Sequence, residues 1–208
     1  MLAVGTLFIF SSPSGGGKTS LIKGVLKEID NVLISVSHTT REARSGEIDG
    51  QHYHFISDDE FNALNGENAF LESANVYGHK YGTSRAWVED TLNSGNDVAL
   101  DIDWQGARQV KAQFPNATFI YILPPSRKVL LERLHARAQD GSEVIDYRMS
   151  NLVREITHCS EYDYLIVNDV FEKSIRLVKR IIQASRLKVA NQEVVYKNVI
   201  ADLLGHGS

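Results

Sequence analysis

Eight residues near the start of the chain, Ser12–Thr19, have the types and order that bind nucleotide phosphates; they read Ser-Pro-Ser-Gly-Gly-Gly-Lys-Thr. Three successive glycines permit positive φ, so that successive N–H groups can face an anion at the positive end of a following helix. Lys18 would reach the β- and γ-phosphates, and the Thr19 hydroxyl would bind Mg²⁺. The alternative is a glycine-rich hairpin beside an incidental lysine. The apolar run before it and the helical pattern after it favour a nucleoside-triphosphate loop.

Two acids stand at the end of another strand-like run, Asp97–Ile102. Asp101 and Asp103 stand at its end, where the loops of a parallel sheet form the ligand crevice. Carboxylates there can hold Mg²⁺ through water or accept hydrogen bonds from a base. The structural alternative is that Asp101 caps a helix that begins near Trp104.

A pair of arginines, Arg41 and Arg44, leaves the second apolar run toward the same crevice. Guanidinium groups match phosphate oxygens bidentately, and the phenols of Tyr53 and Tyr81 would add neutral donors. These residues therefore indicate a clamp for a phosphate monoester. The alternative is a solvated surface pair.

Glu72 and Thr83 complete the same region. A carboxylate can accept hydrogen bonds from N1–H and the N2 amino group of guanine, whereas adenine presents an unprotonated N1 that the carboxylate would repel. A site satisfied by one base leaves its polar groups unpaired with the other, so discrimination can be large.

Three further arginines, Arg133, Arg137 and Arg148, flank the irregular stretch Ala138–Asp146. Arg133 and Arg137 are four residues apart and share one helix face. Cations near a transferring phosphoryl group neutralise the charge on its oxygens. The alternative is a solvated basic face.

The composition and the net charge argue against several other classes of function. The 208 residues are 43% hydrophobic and 23% charged, and the net charge of −4 argues against a general nucleic-acid binder. One cysteine, Cys159, excludes an internal disulfide and fits a reducing compartment; we expect it to be a small buried residue. No histidine stands at a metal-ligand spacing, so no zinc site is predicted.

The chain has no apolar run of about 20 residues and no basic leader, so we expect a cytoplasmic protein without a membrane span.

Near-continuous apolar runs alternate with helical patterns, which is typical of parallel strands buried on both faces in a three-layer α/β fold. Strands are expected at 32–36, 97–102, 118–123 and 164–167, and helices at 105–114, 127–137, 143–158 and 171–189. The polar and aromatic segment from Ser37 to about Gly95 breaks this rhythm. It predicts an insertion with its own small sheet and helix.

The chain resembles the guanylate kinase family, the ATP:GMP phosphotransferases among the P-loop nucleoside-monophosphate kinases, from Gly5 to about Leu187. The blocks that carry the resemblance are Ser35–Arg41, Gly46-Glu47, Tyr81–Thr83, Asp101–Gly106, Leu123–Ser126 and Ile166–Asp169. It implies a three-layer P-loop kinase fold with a parallel core sheet, an inserted α+β GMP-binding domain and a short lid. The core would comprise 1–36, 95–136 and 148–208, the GMP-binding domain 37–94 and the lid 137–147.

The resemblance also implies the substrates ATP and GMP (or dGMP) and the cofactor Mg²⁺, with no nucleic-acid or membrane partner; it is compatible with a homo-oligomer. It places the metal at Thr19 and Asp101, partly through water. It assigns ATP contacts to Ser12, Pro13, Ser14, Gly15, Gly16, Gly17, Lys18, Thr19, Ser20 and Asn168.

For the second substrate, the resemblance assigns GMP contacts to Ser37, Arg41, Arg44, Tyr53, Glu72, Tyr81, Thr83 and Asp103. The residues expected to act on the transferring group are Lys18, Arg41, Arg133, Arg137 and Arg148.

Three positions depart from the family pattern: Ser12 replaces Gly or Ala, Ala43 replaces Pro, and Ala138 replaces Gly. None removes a charge, so activity is expected to survive. Two other functions are the alternatives. A non-catalytic guanylate-kinase-like scaffold module would lack a working phosphate loop, and a nucleotide kinase of other specificity would leave Ser37, Glu72 and Thr83 unexplained.

Overall fold

The computed structural model describes residues 4–136 and 141–205. The strands are β1 (Leu7–Ser11), β2 (Val32–Ile34), β3 (His38–Thr39), β4 (His54–Phe55), β5 (Phe70–Val76), β6 (His79–Ser84), β7 (Asp97–Asp101), β8 (Thr118–Leu123) and β9 (Tyr164–Val167). The helices are α1 (Lys18–Leu26), α2 (Asp58–Gly66), α3 (Arg85–Asn93), α4 (Trp104–Gln113), α5 (Arg127–Ala136), α6 (Ser142–Thr157), α7 (Phe171–Arg186), α8 (Val189–Val195) and α9 (Lys197–Leu203).

The larger sheet is parallel throughout and has the order β2-β7-β1-β8-β9. Alternate side chains of its central strand β1 point to opposite faces. Phe8 and Phe10 pack on one face with α1 and α7, whereas Leu7 and Ile9 pack on the other with α3 and α4. Helices therefore cover both faces of the sheet, which confirms the predicted three-layer α/β fold.

The two edge strands correct the sequence prediction. Leu33 of β2 is 45% exposed and Leu165 of β9 is 53% exposed, although the apolar composition of both runs predicts burial on both faces. Their apolar composition identifies them as strands, but it does not distinguish an edge from the centre of a sheet. β2 also ends at Ile34, two residues before the predicted end.

The segment after β2 forms a second sheet in the order β4-β3-β6-β5. β6 runs antiparallel to both β3 and β5, and β4 runs parallel to β3. Helix α2 begins at a capping box, in which the Ser57 hydroxyl accepts from the Glu60 N–H and the Glu60 carboxylate accepts from the Ser57 N–H. The prediction of a small sheet and a helix in this segment is confirmed.

Two sequence predictions for the C-terminal part of the chain are wrong. The helix expected over 171–189 ends at Arg186, and α8 starts separately at Val189 because the backbone of Lys188, with φ −56° and ψ 141°, is not helical. Cys159 lies in a 3-10 helix, His158–Glu161, and is partly exposed rather than buried. Among the described helices, none is both long and apolar enough to cross a membrane.

Candidate active site

A cleft opens between the carboxyl ends of β1 and β7 and the smaller sheet. It brings together residues that are far apart in the sequence, from the glycine loop, the insertion and α6. Its lining includes Ser12, Pro13, Ser14, Gly15, Gly17, Lys18, Thr19, Ser37, Arg41, Arg44, Tyr53, Glu72, Tyr77, Tyr81, Asp101, Asp103, Arg148 and Glu155.

The glycine loop joins β1 to α1, as the sequence predicts. Gly15 and Gly17 have φ values of 87° and 91°, in the left-handed region that L side chains rarely adopt. Gly15 also lies against α5, because a Cβ there would be 3.0 Å from the side chains of Leu130 and Leu134. Gly17 is the N-cap of α1, so the loop meets the positive end of that helix.

Lys18 and Thr19 both contact Asp101. The Lys18 Nζ lies 2.5 Å from Asp101 Oδ1 and donates to the carbonyl oxygen of Ile102 at 2.8 Å, while the Thr19 hydroxyl donates to Asp101 Oδ2 at 2.6 Å. Asp101 therefore does not cap α4. That cap is Asp103, whose carboxylate accepts from the Gly106 N–H at 3.0 Å.

The hydroxyl of Thr19 and the carboxylate of Asp101 fit a magnesium site by the chemistry of their donors. Mg²⁺ prefers oxygen ligands and is commonly held by one or two carboxylates with substrate phosphates and water. Across residues 4–136 and 141–205, no three His, Cys, Asp or Glu side chains form a metal-binding group. A metal at Thr19 and Asp101 would accordingly need ligands from a nucleotide.

Arg41 is held in place by Glu47. The Arg41 Nη2 donates to both carboxylate oxygens of Glu47 at 2.8 and 2.9 Å, and the Arg44 N–H donates to the same carboxylate at 2.8 Å. Burial works to raise the pKa of Glu47, but these hydrogen bonds outweigh it and hold the pKa below its ordinary value. Glu47 therefore stays ionised and orients the guanidinium that the sequence assigns to a phosphate.

Two tyrosines line the arginine pocket. The rings of Tyr53 and Tyr81 meet edge to face with centroids 5.9 Å apart, and the Arg41 guanidinium lies 5.4 Å from the Tyr53 ring centroid. Burial, with the Asp101 carboxylate nearby, raises the pKa of Tyr53 above its ordinary value. Its hydroxyl thus remains a neutral hydrogen-bond donor at every physiological pH.

Glu72, on β5 of the inserted segment, carries a buried carboxylate. It is 4% exposed, and the Thr83 hydroxyl donates to its Oε1 at 2.6 Å. Burial raises the pKa of Glu72 to about 7, against the opposing hydrogen bond from Thr83, and the charge of Asp103 adds to the rise. Ser37 and Asp103 line the same cleft. The four residues predicted for guanine thus lie together.

Arg133 and Asn168 lie behind the glycine loop rather than on the cleft lining. Both donate to the Gly16 carbonyl oxygen, Arg133 Nη1 at 3.4 Å and Asn168 Nδ2 at 3.3 Å, and Arg133 Nη2 donates to the Asn168 carbonyl at 2.9 Å. Their predicted contacts with the transferring group and with adenine stay predictions. Ser20 lies on the exposed first turn of α1, and Arg137 lies outside the described residues.

Sequence reasoning missed three residues of the site. Glu47 stands beside Gly46 in one of the blocks that carry the family resemblance, and that spacing could have indicated it. Tyr77 and Glu155 contact each other across 78 positions of the chain, and no local pattern relates them.

A parallel sheet with a phosphate loop after its central strand, facing a paired-arginine pocket on an inserted sheet, defines a P-loop nucleotide kinase. A family model described as guanylate kinase matches residues 4–185. A guanylate kinase of Shewanella denitrificans is 53% identical over 98% of this chain and 99% of its own, and one of Vibrio parahaemolyticus is 52% identical over 96% and 98%. The crystal structure of guanylate kinase from Anaplasma phagocytophilum superposes with a TM-score of 0.77 at 33% identity, covering 95% of this chain and 96% of that one. The chain belongs to the guanylate kinase family.

Proposed function

We propose that this chain reversibly transfers the γ-phosphoryl group of ATP to GMP or dGMP, giving ADP and GDP or dGDP. Membership of the guanylate kinase family supports this reaction. The observation that carries it is the arrangement of one cleft: Lys18 lies on one wall, and Arg41 and the buried Glu72 lie on the other. The wall with Arg41 and Glu72 thus offers a site for a phosphate and a site for a base. It faces the wall where Lys18 offers a second phosphate site.

The reaction needs no nucleophile from the protein. A phosphate oxygen of GMP attacks the γ-phosphorus in line, the bond from that phosphorus to the β–γ bridging oxygen breaks, and ADP leaves with that oxygen. Arg41, Arg44, Tyr53 and Tyr81 hold the phosphate of GMP. Lys18 and the loop N–H groups hold the phosphates of ATP. Catalysis then rests on positioning and on charge stabilisation.

Guanine recognition is assigned to Glu72, with Ser37, Thr83 and Asp103 around it. An ionised Glu72 accepts hydrogen bonds from N1–H and the N2 amino group, and Thr83 fixes one of its oxygens. A guanine that enters therefore satisfies a carboxylate that burial has already desolvated. Adenine would leave that carboxylate without a donor, which is costly in a buried site.

Magnesium bound with ATP would be held by Thr19 and Asp101, partly through water, and would neutralise charge on the β- and γ-phosphates. Lys18 then leaves Asp101 for the phosphates. Arg133, Arg137 and Arg148 are proposed to neutralise the charge of the transferring group, and Asn168 to lie near adenine.

The proposed domains are a core of 1–36, 95–136 and 148–208, a GMP-binding domain of 37–94 and a lid of 137–147. The two sheets support the first division, because the strands of the smaller sheet all lie between His38 and Ser84. A single cysteine fits a reducing compartment, and we propose the cytoplasm.

The competing function, a non-catalytic scaffold module, finds no support. Lys18, Thr19 and Asp101 form a connected set in the cleft, as a working phosphate loop requires. The test is a coupled assay of ADP formation with ATP and Mg²⁺ in which GMP, AMP, UMP and CMP are offered in turn. We expect turnover with GMP. Turnover with AMP but not GMP would refute the assignment, and ATP binding absent from a folded protein would favour the scaffold.

A further inference from the structure

Three separate parts of the molecule meet at the side chain of Glu155 on α6. Its Oε1 accepts a hydrogen bond from the Tyr77 hydroxyl at 2.6 Å, and its Oε2 accepts one from the Ser14 N–H at 3.1 Å. Ser14 belongs to the phosphate loop, and Tyr77 lies at the turn between β5 and β6 of the insertion. One carboxylate thus joins both walls of the cleft.

The backbone at Tyr77 indicates that its side chain is needed there. Val76 pairs with His79, so Tyr77 and Gly78 are the two central residues of the hairpin turn, with φ values of 52° and 85°. Such a turn favours Asn-Gly, and a bulky residue at positive φ is strained. An asparagine at position 77 would relieve the strain, but it would lack the reach and the hydroxyl of tyrosine.

The helix that supplies Glu155 is itself fixed to the core sheet. The Tyr121 hydroxyl of β8 donates to the carbonyl oxygen of Glu155 at 2.8 Å. Two turns earlier on the same helix, the guanidinium of Arg148 lies 5.3 Å from the Tyr77 ring centroid. Tyr77 therefore contacts both Glu155 and an arginine assigned to the transferring group.

We propose that Glu155 and Tyr77 form a positioning pair that sets the phosphate loop, through Ser14, and the Arg148 guanidinium in the geometry of phosphoryl transfer. This inference rests on the proposed function. Neither residue is placed on a reacting atom. The pair acts by holding the tip of the GMP-binding wall against the ATP-binding loop, so its loss lowers kcat more than it weakens ATP binding.

The test is a double-mutant cycle of Tyr77→Phe and Glu155→Ala, with kcat and the KM values of both substrates measured below the melting temperature. We expect Tyr77→Phe to lower kcat about 5- to 10-fold with the KM for ATP within about twofold, since one hydrogen bond is lost. In Glu155→Ala the Tyr77 hydroxyl has already lost its acceptor. Adding Tyr77→Phe to it should therefore cost little more.

Glu155→Gln is the conservative variant. Its oxygen can accept from the Ser14 N–H while its amide donates to the Tyr77 oxygen, so we expect kcat within about threefold of the wild type. Tyr164→Phe and Glu172→Ala are the matched controls, because Tyr164 is exposed on β9 and Glu172 is exposed on the first turn of α7. Both controls should match the wild type.

Hydrogen exchange of the segments 12–19 and 74–80, followed without substrate, gives a second readout. Faster exchange of both segments in Glu155→Ala, with no change in Glu172→Ala, would support the pair. Effects that multiply in the double variant, or a lower melting temperature with unchanged kcat, would overturn it. An inactive wild type would count against the proposed function alone, because the exchange measurement needs no turnover.

Discussion

Gly106 lies so close to Glu72 that a methyl group on its Cα would be 2.3 Å from a carboxylate oxygen. The first turn of α4 therefore packs directly against the carboxylate of the proposed guanine site. Only a residue without a Cβ leaves Glu72 where it can accept from Thr83 and still face the cleft.

Gly106→Ala should consequently impair GMP binding and spare ATP. The added methyl displaces Glu72, and hydrogen bonds to charged groups contribute about 1.5–3 kcal/mol, so we expect the KM for GMP to rise about 10- to 100-fold. Steady-state kinetics with each substrate varied would measure this. Gly66→Ala in α2 is the control, since nothing lies within 4 Å of a Cβ there. An unchanged KM for GMP in Gly106→Ala would contradict the placement of the base.

Glu72 should make stability depend on pH. Its pKa is about 7 in the folded chain against 4.5 as the reference value, so the unfolded state loses its proton first as pH rises. Glu72 therefore destabilises the fold progressively from about pH 4.5 to 7, and the loss is constant above pH 7. Glu72→Gln should lack this contribution. Melting temperatures at pH 5 and pH 8 would check it: the gain of the variant over the wild type should be larger at pH 8, and a larger gain at pH 5 would contradict the burial argument.

Glu47→Ala should weaken GMP binding although Glu47 is not assigned to the substrate. The Arg41 guanidinium would lose both of its carboxylate hydrogen bonds and the orientation that they impose. We expect kcat/KM for GMP to fall about tenfold, because a misoriented clamp forfeits bidentate contacts. The exposed Glu67→Ala serves as the control. An equal kcat/KM for GMP in the two variants would contradict the role of Glu47 in orienting Arg41.

Lys18→Ala should separate catalysis from folding. The lysine side chain is partly exposed and contacts Asp101 at the end of β7 and the carbonyl oxygen of Ile102, so its loss should change the melting temperature by a few degrees at most. Removing the cation proposed to bind the ATP phosphates should lower kcat about 100-fold or more. Turnover like that of the wild type would exclude the proposed role of the loop.

The sequence predicts those parts of the molecule that are formed by residues close together along the chain. The glycine loop follows β1 and the two acids stand at the end of β7, and the carboxyl ends of parallel strands meet at one edge of a sheet. The arginine pair follows β3 of the smaller sheet, a few residues after the end of β2. The assignment of Ser37, Glu72, Thr83 and Asp103 to guanine came from the family resemblance, whereas the burial of Glu72 and its contact with Thr83 were found only in the structure.

The remainder depends on contacts between distant positions. Glu155 is 141 residues from Ser14, and Arg133 is 117 residues from Gly16, so no spacing rule relates them. Likewise, the apolar run of β9 is the same whether the strand lies at the centre or at the edge of the sheet. Tertiary packing alone decides these points.

The central claim is that two anionic substrates meet end to end between Lys18 and Arg41. The most direct measurement is calorimetric titration with a bisubstrate analogue, in which adenosine and guanosine are joined at their 5′ oxygens by a chain of phosphates. We predict binding about 100-fold or more tighter than GMP alone, weakened by Lys18→Ala and by Arg41→Ala, since one molecule would occupy both sites. Binding no tighter than that of either nucleotide, or indifferent to both substitutions, would contradict the account.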